Sequence, residues 1–558
     1  YERLEQLSPL HWESEGCGML HMTPNIEGEK ISNFDILIHR QVNIHIDSQQ
    51  ESVPHVEVSL SFEKGDPSDK TRVPLSQLES IDWKALDYQA TYNPQVAVAK
   101  ANRYIAAEIR SKLDDLPTTE VYRLSHSGMY IINGEPVFCT GNEVIRPSSS
   151  GVQRPEIERE RMSQRLDFDP DLSEGEAAAE MLNLIGLFPN PGRIILSQVL
   201  VALMRQAYED AGKAPAFCIF LYGRTGTQKT TIASFLTQIY NRSKGIAELT
   251  RLNASRASAV ELLMDAVDEV KVFDDLFPAD SKQSRKSQED VLFEITRLVG
   301  DGTIPARMKG GKVREGRPKC GVLFTGEYLI GKGSDAARLL PVEMTKPDTR
   351  ALRYFQEQPL IVSAFYRDFI AWFIENYDKT VEYLKEWLDE YRKTDLGVHD
   401  RLCETHFFLN TAYSLLLEYC EEKGILTKED VLGFHSSFVE LLNQLVQEQN
   451  ERVSPSATVS ATLGNVLERI KALYRNHQLS IASNKRQFDD AQHDGIVHGG
   501  CLCLRPHTLS HFFPNSDIND IARELETEGA LTKGKDGLTK KISAIHGKYC
   551  YCIPLNRL

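Results

Sequence analysis

The chain has 558 residues, room for about three or four domains, and its 41% hydrophobic content can fill several cores. A net charge of −15 excludes a surface coated in nucleic-acid-binding charge, so any such contact must come from local basic patches. The ten cysteines form no dense framework and no signal peptide is evident, which predicts a reducing, cytoplasmic compartment. No apolar run is long enough for a membrane span.

Residue 1 is Tyr, so the natural chain is expected to begin upstream. Residues 1–145 read as a β-rich N-terminal domain. Phe34, Ile36 and Ile38, then Val42, Ile44 and Ile46, then Val56, Val58, Leu60 and Phe62 alternate with polar residues, the period of half-buried strands in a meander. Met129 to Phe138 predicts a hairpin turning at Asn133-Gly134, and a helix is expected around Pro94 to Leu113. The domain shows no catalytic constellation, which favours docking or assembly. Residues 146–172, with Pro147, three serines and a charged run from Glu156 to Arg165, read as a linker. Ser173 and Glu176 then make a capping box that opens the next domain, residues 173–397.

Within that domain an apolar strand, Phe217 to Tyr222, runs into Gly223-Arg224-Thr225-Gly226-Thr227-Gln228-Lys229-Thr230-Thr231 and an amphipathic helix from Thr230 to Tyr240. Strand, loop and helix in this order predict a phosphate-binding loop, whose backbone N–H groups cradle phosphate oxygens. Lys229 is expected to neutralise the β and γ phosphates of ATP, and Thr230 to place its hydroxyl on Mg²⁺. Gln228 stands where a glycine is usual, so its backbone is expected to keep to a region open to L-residues. Further on, Val272-Phe273-Asp274-Asp275 puts two carboxylates at the end of an apolar strand. Asp274 is expected to hold the metal and Asp275 to orient and polarise the attacking water.

Residues 305–319 carry Arg307, Lys309, Lys312, Arg314, Arg317 and Lys319 against Glu315 alone, with Gly310-Gly311 suited to a hairpin tip. Residues 398–477 have helical apolar spacing and predict a small bundle. In the tail, residues 478–558, an amphipathic helix from Ile518 to Glu528 precedes Lys533, Lys535, Lys540 and Lys541, with strands expected at Lys541–Ile545 and Tyr549–Ile553. Helix followed by a lysine-tipped hairpin outlines a winged helix. Two Cys-x-Cys pairs, Cys501/Cys503 and Cys550/Cys552, could offer four thiolates to zinc, but strand alternation and the absence of a Cys-x-x-Cys knuckle favour buried, apolar roles.

Gly223–Thr230, Asp274-Asp275-Leu276-Phe277-Pro278, Arg297-Leu298-Val299-Gly300-Asp301, Arg307-Met308 and Phe324-Thr325-Gly326-Glu327, in that order, resemble the AAA+ replicative-helicase-like ATPases of phages, plasmids and chromosomal islands, including staphylococcal pathogenicity-island replication initiators. The resemblance implies a multidomain α/β protein: a P-loop AAA+ core with the β-rich domain before it and the helical and winged-helix regions after it. It implies an ATP- and Mg²⁺-dependent DNA helicase or replication initiator of a mobile genetic element. That protein would be a homo-oligomer, a hexamer encircling DNA, with no membrane partner. By the same resemblance Thr325 is the sensor facing the γ-phosphate, and Arg338 is the arginine finger offered to a neighbouring subunit, with Arg297 and Arg350 as competitors. Lys309, Lys312 and Arg314 would track a single strand in the pore, while Lys533, Lys535, Lys540 and Lys541 would meet duplex DNA. The same parts also fit a non-processive initiator or loader, or a protein-remodelling ATPase; the latter would be expected to carry aromatic pore loops.

Overall fold

The computed structural model describes residues 11–14, 19–23, 26–47, 52–62, 64–148, 155–159, 162–245, 249–252, 256–277, 282–309, 312–329, 333–344, 349–394, 396–453, 466–475, 479–482, 484–489, 493–513, 518–534, 537–545 and 547–558. The chain divides into two compact units, Tyr1–Leu166 and Asp167–Leu558. It is a mixed α/β protein with a parallel sheet and many helices. Among the described residues no helix is long and apolar enough to cross a membrane.

In the first unit, β1 (His11–Ser14), β2 (Met19–Thr23) and β3 (Ile26–Lys30) form a small antiparallel sheet. β4 (Phe34–Ile46), β5 (Ser52–Phe62) and β6 (Thr71–Pro74) form a meander. The two alternating runs expected as separate strands are one strand, β4, because a bulge between Ile38 and Arg40 shifts the register. Ile38 pairs with Val58, but Val42 pairs with His55, so the bulge moves the second run to the opposite face. Phe34 and Ile36 accordingly pack with the helix Val98–Lys112, while Val42 and Ile44 pack with Val121. After that helix, β7 (Thr118–Arg123) joins β4 in parallel, so the meander stops at three strands. A three-stranded sheet follows from β8 (Gly128–Ile132), β9 (Glu135–Cys139) and β10 (Val144–Ile145). Its Asn133-Gly134 turn has both residues at positive φ, as a two-residue hairpin of type I′ requires. Residues of the charged run read as linker form an edge strand instead, β11 (Glu156–Glu158), parallel to β7. Glu156 and Glu158 are held there by Arg40, Arg72 and Arg123.

The second unit is built on five parallel strands in the order β13 (Thr250–Arg251), β14 (Val267–Leu276), β17 (Lys319–Gly326), β12 (Cys218–Tyr222) and β18 (Leu339–Glu343). Phe220, Phe273, Val322 and Phe324 are buried on one face against the helices Arg256–Asp265 and Lys282–Asp301. The helix Pro191–Leu203 covers the other, and its Gln198 Nε2 donates to Val322 O at 2.6 Å. Burial on both faces explains why these strands are apolar throughout. Between β14 and β17 the chain makes an antiparallel ribbon of β15 (Ile304–Lys309) and β16 (Lys312–Gly316); its tip, Gly310-Gly311, lies outside the described residues.

Long helices follow at Leu360–Glu375, Tyr377–Lys393, Asp400–Glu422 and Lys428–Val453. Gln449, near the end of the last, donates to Ala336 O at 2.7 Å, so this helix packs against the turn carrying Arg338. The tail closes on a second five-stranded sheet, ordered β19 (Ile481–Ala482), β20 (Gly495–His498), β21 (Cys501–Leu504), β23 (Lys548–Pro554) and β22 (Lys540–Ile542). The helices Val466–Arg475, Pro506–Phe512 and Ile518–Thr527 share its core through Ile470, Leu509, Ile521 and Leu525.

Candidate active site at the carboxyl edge of the parallel sheet

β12 ends at Tyr222, and the chain turns immediately into the loop 223–228 before entering the helix Lys229–Thr237. Two glycines make the turn possible. Gly226 has φ +85°, and a Cβ at Gly223 would stand 2.8 Å from Met344 O. Gln228 caps the helix with φ 63° and ψ 25°, in the left-handed region. This is the small left-handed region still open to L-residues, which a non-glycine occupies at a cost of roughly 1–2 kcal/mol. The Gln228 side chain is held by Thr231, whose Oγ1 donates to Oε1 at 2.8 Å. Thr227 Oγ1 donates to Arg224 O at 2.8 Å, bracing the loop from within.

β14 and β12 are separated by β17, and this interposed strand brings the distant motifs together. Thr230 Oγ1 donates to Asp274 Oδ1 at 2.8 Å, and Thr325 Oγ1 donates to the same oxygen at 2.5 Å. Thr325 is 1% exposed and also accepts the Asp275 N–H at 3.1 Å. Asp275 has φ 73° at a bulge between Phe273 and Leu276. Lys229 Nζ donates to Gly223 O at 2.7 Å and Arg224 O at 3.1 Å. Burial pulls the Lys229 ammonium below its ordinary value, against the attraction of Glu327, Asp274 and Asp275. Burial pushes the Asp275 carboxyl above its usual range, with Asp274 adding to the shift and Arg251 opposing it.

A cavity of about 230 Å³ opens here, lined by Thr225, Gly226, Lys229, Thr230, Asp275 and Thr325 among others. Glu327 also lines it and was not assigned a role from the sequence. Its signal was an acid directly after the apolar run ending in Thr325-Gly326, at the same sheet edge as Asp274 and Asp275. A lysine, threonine hydroxyls and carboxylate oxygens around one cavity can bind a polyanion together with a hard divalent cation. Thr230 and Asp274 supply oxygen donors already in contact, which suits Mg²⁺.

Other expected residues lie elsewhere. Arg338 is 7% exposed and pairs with Asp301 and, at 3.3 Å, with Asp335. The structure does not bring it to the cavity or to the surface. Arg297 lies exposed on the helix Lys282–Asp301, with two nitrogens on the Asp335 carboxylate, the closest contact at 2.7 Å. Arg350 is exposed on the helix Thr349–Glu357. Lys309, Lys312 and Arg314 lie on β15 and β16, where Lys309 pairs with Lys312 and Arg307 with Arg314. In the tail Lys540 and Lys541 are exposed on β22, Lys533 is exposed and paired with Glu526, and Lys535 lies outside the described residues. Cys503 and Cys552 face each other across β21 and β23 with sulfurs 3.3 Å apart, packed among Ile496, Ile542, Ile545 and Phe488. Among the described residues no cluster of His, Cys, Asp and Glu could hold a metal ion.

No family model matches this chain, and no curated protein matches it. Among solved structures it is similar to the SCCmec type IV Cch active helicase at 12% identity and a TM-score of 0.47, over 98% of each chain. It is also similar to the apo C-terminal region of NrS-1, at 10% identity and a TM-score of 0.29, over 93% of this chain and 95% of that one. Likeness this distant carries no activity across, which leaves the site itself to define the chemistry.

Proposed function

We propose that this chain is an ATP-hydrolysing, Mg²⁺-dependent DNA helicase of the AAA+ kind, serving as a replication initiator of a mobile element and working as a homo-oligomeric ring, in the cytoplasm. One observation carries the hydrolase reading: the Thr230 and Thr325 hydroxyls converge on a single oxygen of Asp274, with Lys229 lining the same cavity. In this reading Lys229 and the N–H groups of residues 223–231 bind the phosphates. Thr230 and Asp274 hold Mg²⁺, which when bound screens the phosphate charge. Asp275 orients the attacking water, and Thr325 positions both Asp274 and the Asp275 backbone.

The partner is argued from the ribbon. Like charges directly opposite each other destabilise a β pair, yet β15 and β16 place Arg307 against Arg314 and Lys309 against Lys312. Four basic residues at paired register positions fit a polyanion, and a phosphate backbone threaded through a ring of such ribbons supplies one. Duplex DNA would be met by Lys533, Lys535, Lys540 and Lys541 in a winged-helix tail. Arg338, as a finger for a neighbouring subunit, would first have to leave Asp301 and Asp335, so assembly and activation are coupled in this reading. The test is strand displacement with ATP, alongside Lys229→Ala. ATP hydrolysis stimulated by single strands without displacement would favour the initiator or loader reading; hydrolysis indifferent to DNA would remove the helicase reading.

A further inference from the structure

The acid at the end of β17 has a place in the cavity that neither Asp274 nor Asp275 fills. Gly326 carries the strand through a gap where a Cβ would stand 2.8 Å from Phe220 Cζ and 2.9 Å from Leu276 Cβ. The next residue is Glu327, whose N–H donates to Leu276 O at 2.9 Å. That bond anchors its backbone to β14 just past Asp275. The side chain then crosses to the phosphate loop, where Thr225 Oγ1 donates to Oε1 at 2.5 Å. Asp275 and Glu327 thus leave adjacent strands at the same edge and line one cavity. Of the two, Glu327 has the longer reach and contacts the loop directly.

We propose that Glu327 is a second catalytic carboxylate: it accepts the proton of the water that attacks the terminal phosphate, and its bond to Thr225 is its resting position between turnovers. The inference rests on the nucleotide-hydrolase reading of this site. In the step, the water oxygen bonds to the γ-phosphorus and the bond from that phosphorus to the β–γ bridging oxygen breaks. One water proton passes to the Glu327 carboxylate and then to the departing phosphate. ADP and inorganic phosphate are the products, and the carboxylate is regenerated. Asp275 orients the same water from the β14 side.

The test compares Glu327→Gln, Glu327→Asp and Thr225→Val in the full chain, by ATP turnover and by binding of a fluorescent ATP analogue. Glu327→Gln should lower kcat by about 10²-fold or more, the range for loss of one general acid–base group, with analogue binding within about threefold of wild type. Glu327→Asp, which restores a carboxylate on a shorter arm, should recover part of that loss. Thr225→Val removes the resting contact, and because Thr225 also lines the cavity its kcat is compared only if analogue binding stays within about threefold of wild type. If it lowers kcat as far as Glu327→Gln does, Glu327 is a tether for the loop and the proposal is overturned. Wild-type kcat in Glu327→Gln overturns it equally. Lys229→Ala separates the two levels of inference: wild-type hydrolysis there removes the nucleotide site itself, whereas lost binding there with full turnover in Glu327→Gln removes only the role of Glu327.

Discussion

Two five-stranded sheets of the second unit use reactive side chains in opposite ways. In the parallel sheet, Thr325 and Asp274 sit where strands end, beside a loop that keeps them within reach of a cavity. In the tail sheet, antiparallel except for the pair β19 and β20, Cys503, Cys550 and Cys552 sit inside strands and are buried among apolar side chains. A parallel sheet aligns all its strand ends at one edge and leaves polar groups there open to a ligand. An antiparallel sheet with a packed face turns the same kind of residue inward. Burial pushes the Cys218 and Cys320 thiols up in the parallel sheet as well, so position along the strand, and not residue type, separates chemistry from packing.

The sharpest way to break this contrast is at Lys229. Lys229→Ala should lower ATP hydrolysis by about 10²–10³-fold, as loss of a charge-stabilising donor does, and weaken nucleotide binding in an equilibrium titration. Unchanged turnover would mean that the open edge of the parallel sheet is no more a site than the tail is. Asp275→Asn should follow with a loss of about 10²-fold in kcat and near-normal binding, because the carboxylate is exposed and its removal leaves the Thr230–Asp274 contact intact. Equal losses of binding in the two variants would assign Asp275 to the phosphates or the metal instead.

A third change tests the ribbon. Lys309→Ala with Lys312→Ala should reduce the salt dependence of single-strand binding by about 1.4 in log–log slope, roughly 0.7 for each phosphate no longer neutralised. Unstimulated hydrolysis should persist and strand displacement should fall. Displacement at the wild-type rate in this double variant would put translocation elsewhere.

The parallel edge was largely legible in the sequence because its signals are local. Gly223 to Thr230 lies between an apolar strand and a helix, and Asp274-Asp275 ends another strand, so loop and carboxylates could be paired without knowing the fold. What could not be read depends on which strands are neighbours. That Thr325 touches Asp274 follows from β17 lying between β14 and β12, and Glu327 acquires its contact with Thr225 from the same order. The motif suggested Arg338 as a finger, but its burial against Asp301 and Asp335 could not be read from the sequence. In the first unit the even-numbered alternation of β4 hides a bulge, because one extra residue reverses the face without disturbing the pattern. The left-handed backbone at Gln228 breaks a local rule at the phosphate loop itself, where strain is most often retained for function.

The smallest expected effect concerns stability and separates the tail from the helices that follow the parallel sheet. In the helix Ile518–Thr527, burial pushes the Glu524 carboxyl up to about 7, with the Val466 N–H opposing and Glu528 adding to it. In the helix Asp400–Glu422, burial pulls His406 down to about 4 despite its hydrogen bond to Asn443. The signs are opposite in consequence. The Glu524 contribution is full below the unfolded value near 4.5 and is lost as pH rises through about 7. The His406 contribution is full above the unfolded value near 6.5 and is lost as pH falls through about 4. Hydrogen exchange in Ile521 to Leu525 should therefore quicken between pH 6 and pH 8 more than the intrinsic rate requires, while exchange in Phe407 to Leu417 should not. Glu524→Gln, a neutral copy of the protonated acid, should match wild type near pH 4.5 and be the more protected at pH 8. Equal protection at both pH values would mean that Glu524 is hydrated and that the tail core is looser than the packing of Ile521, Ala522 and Leu525 implies.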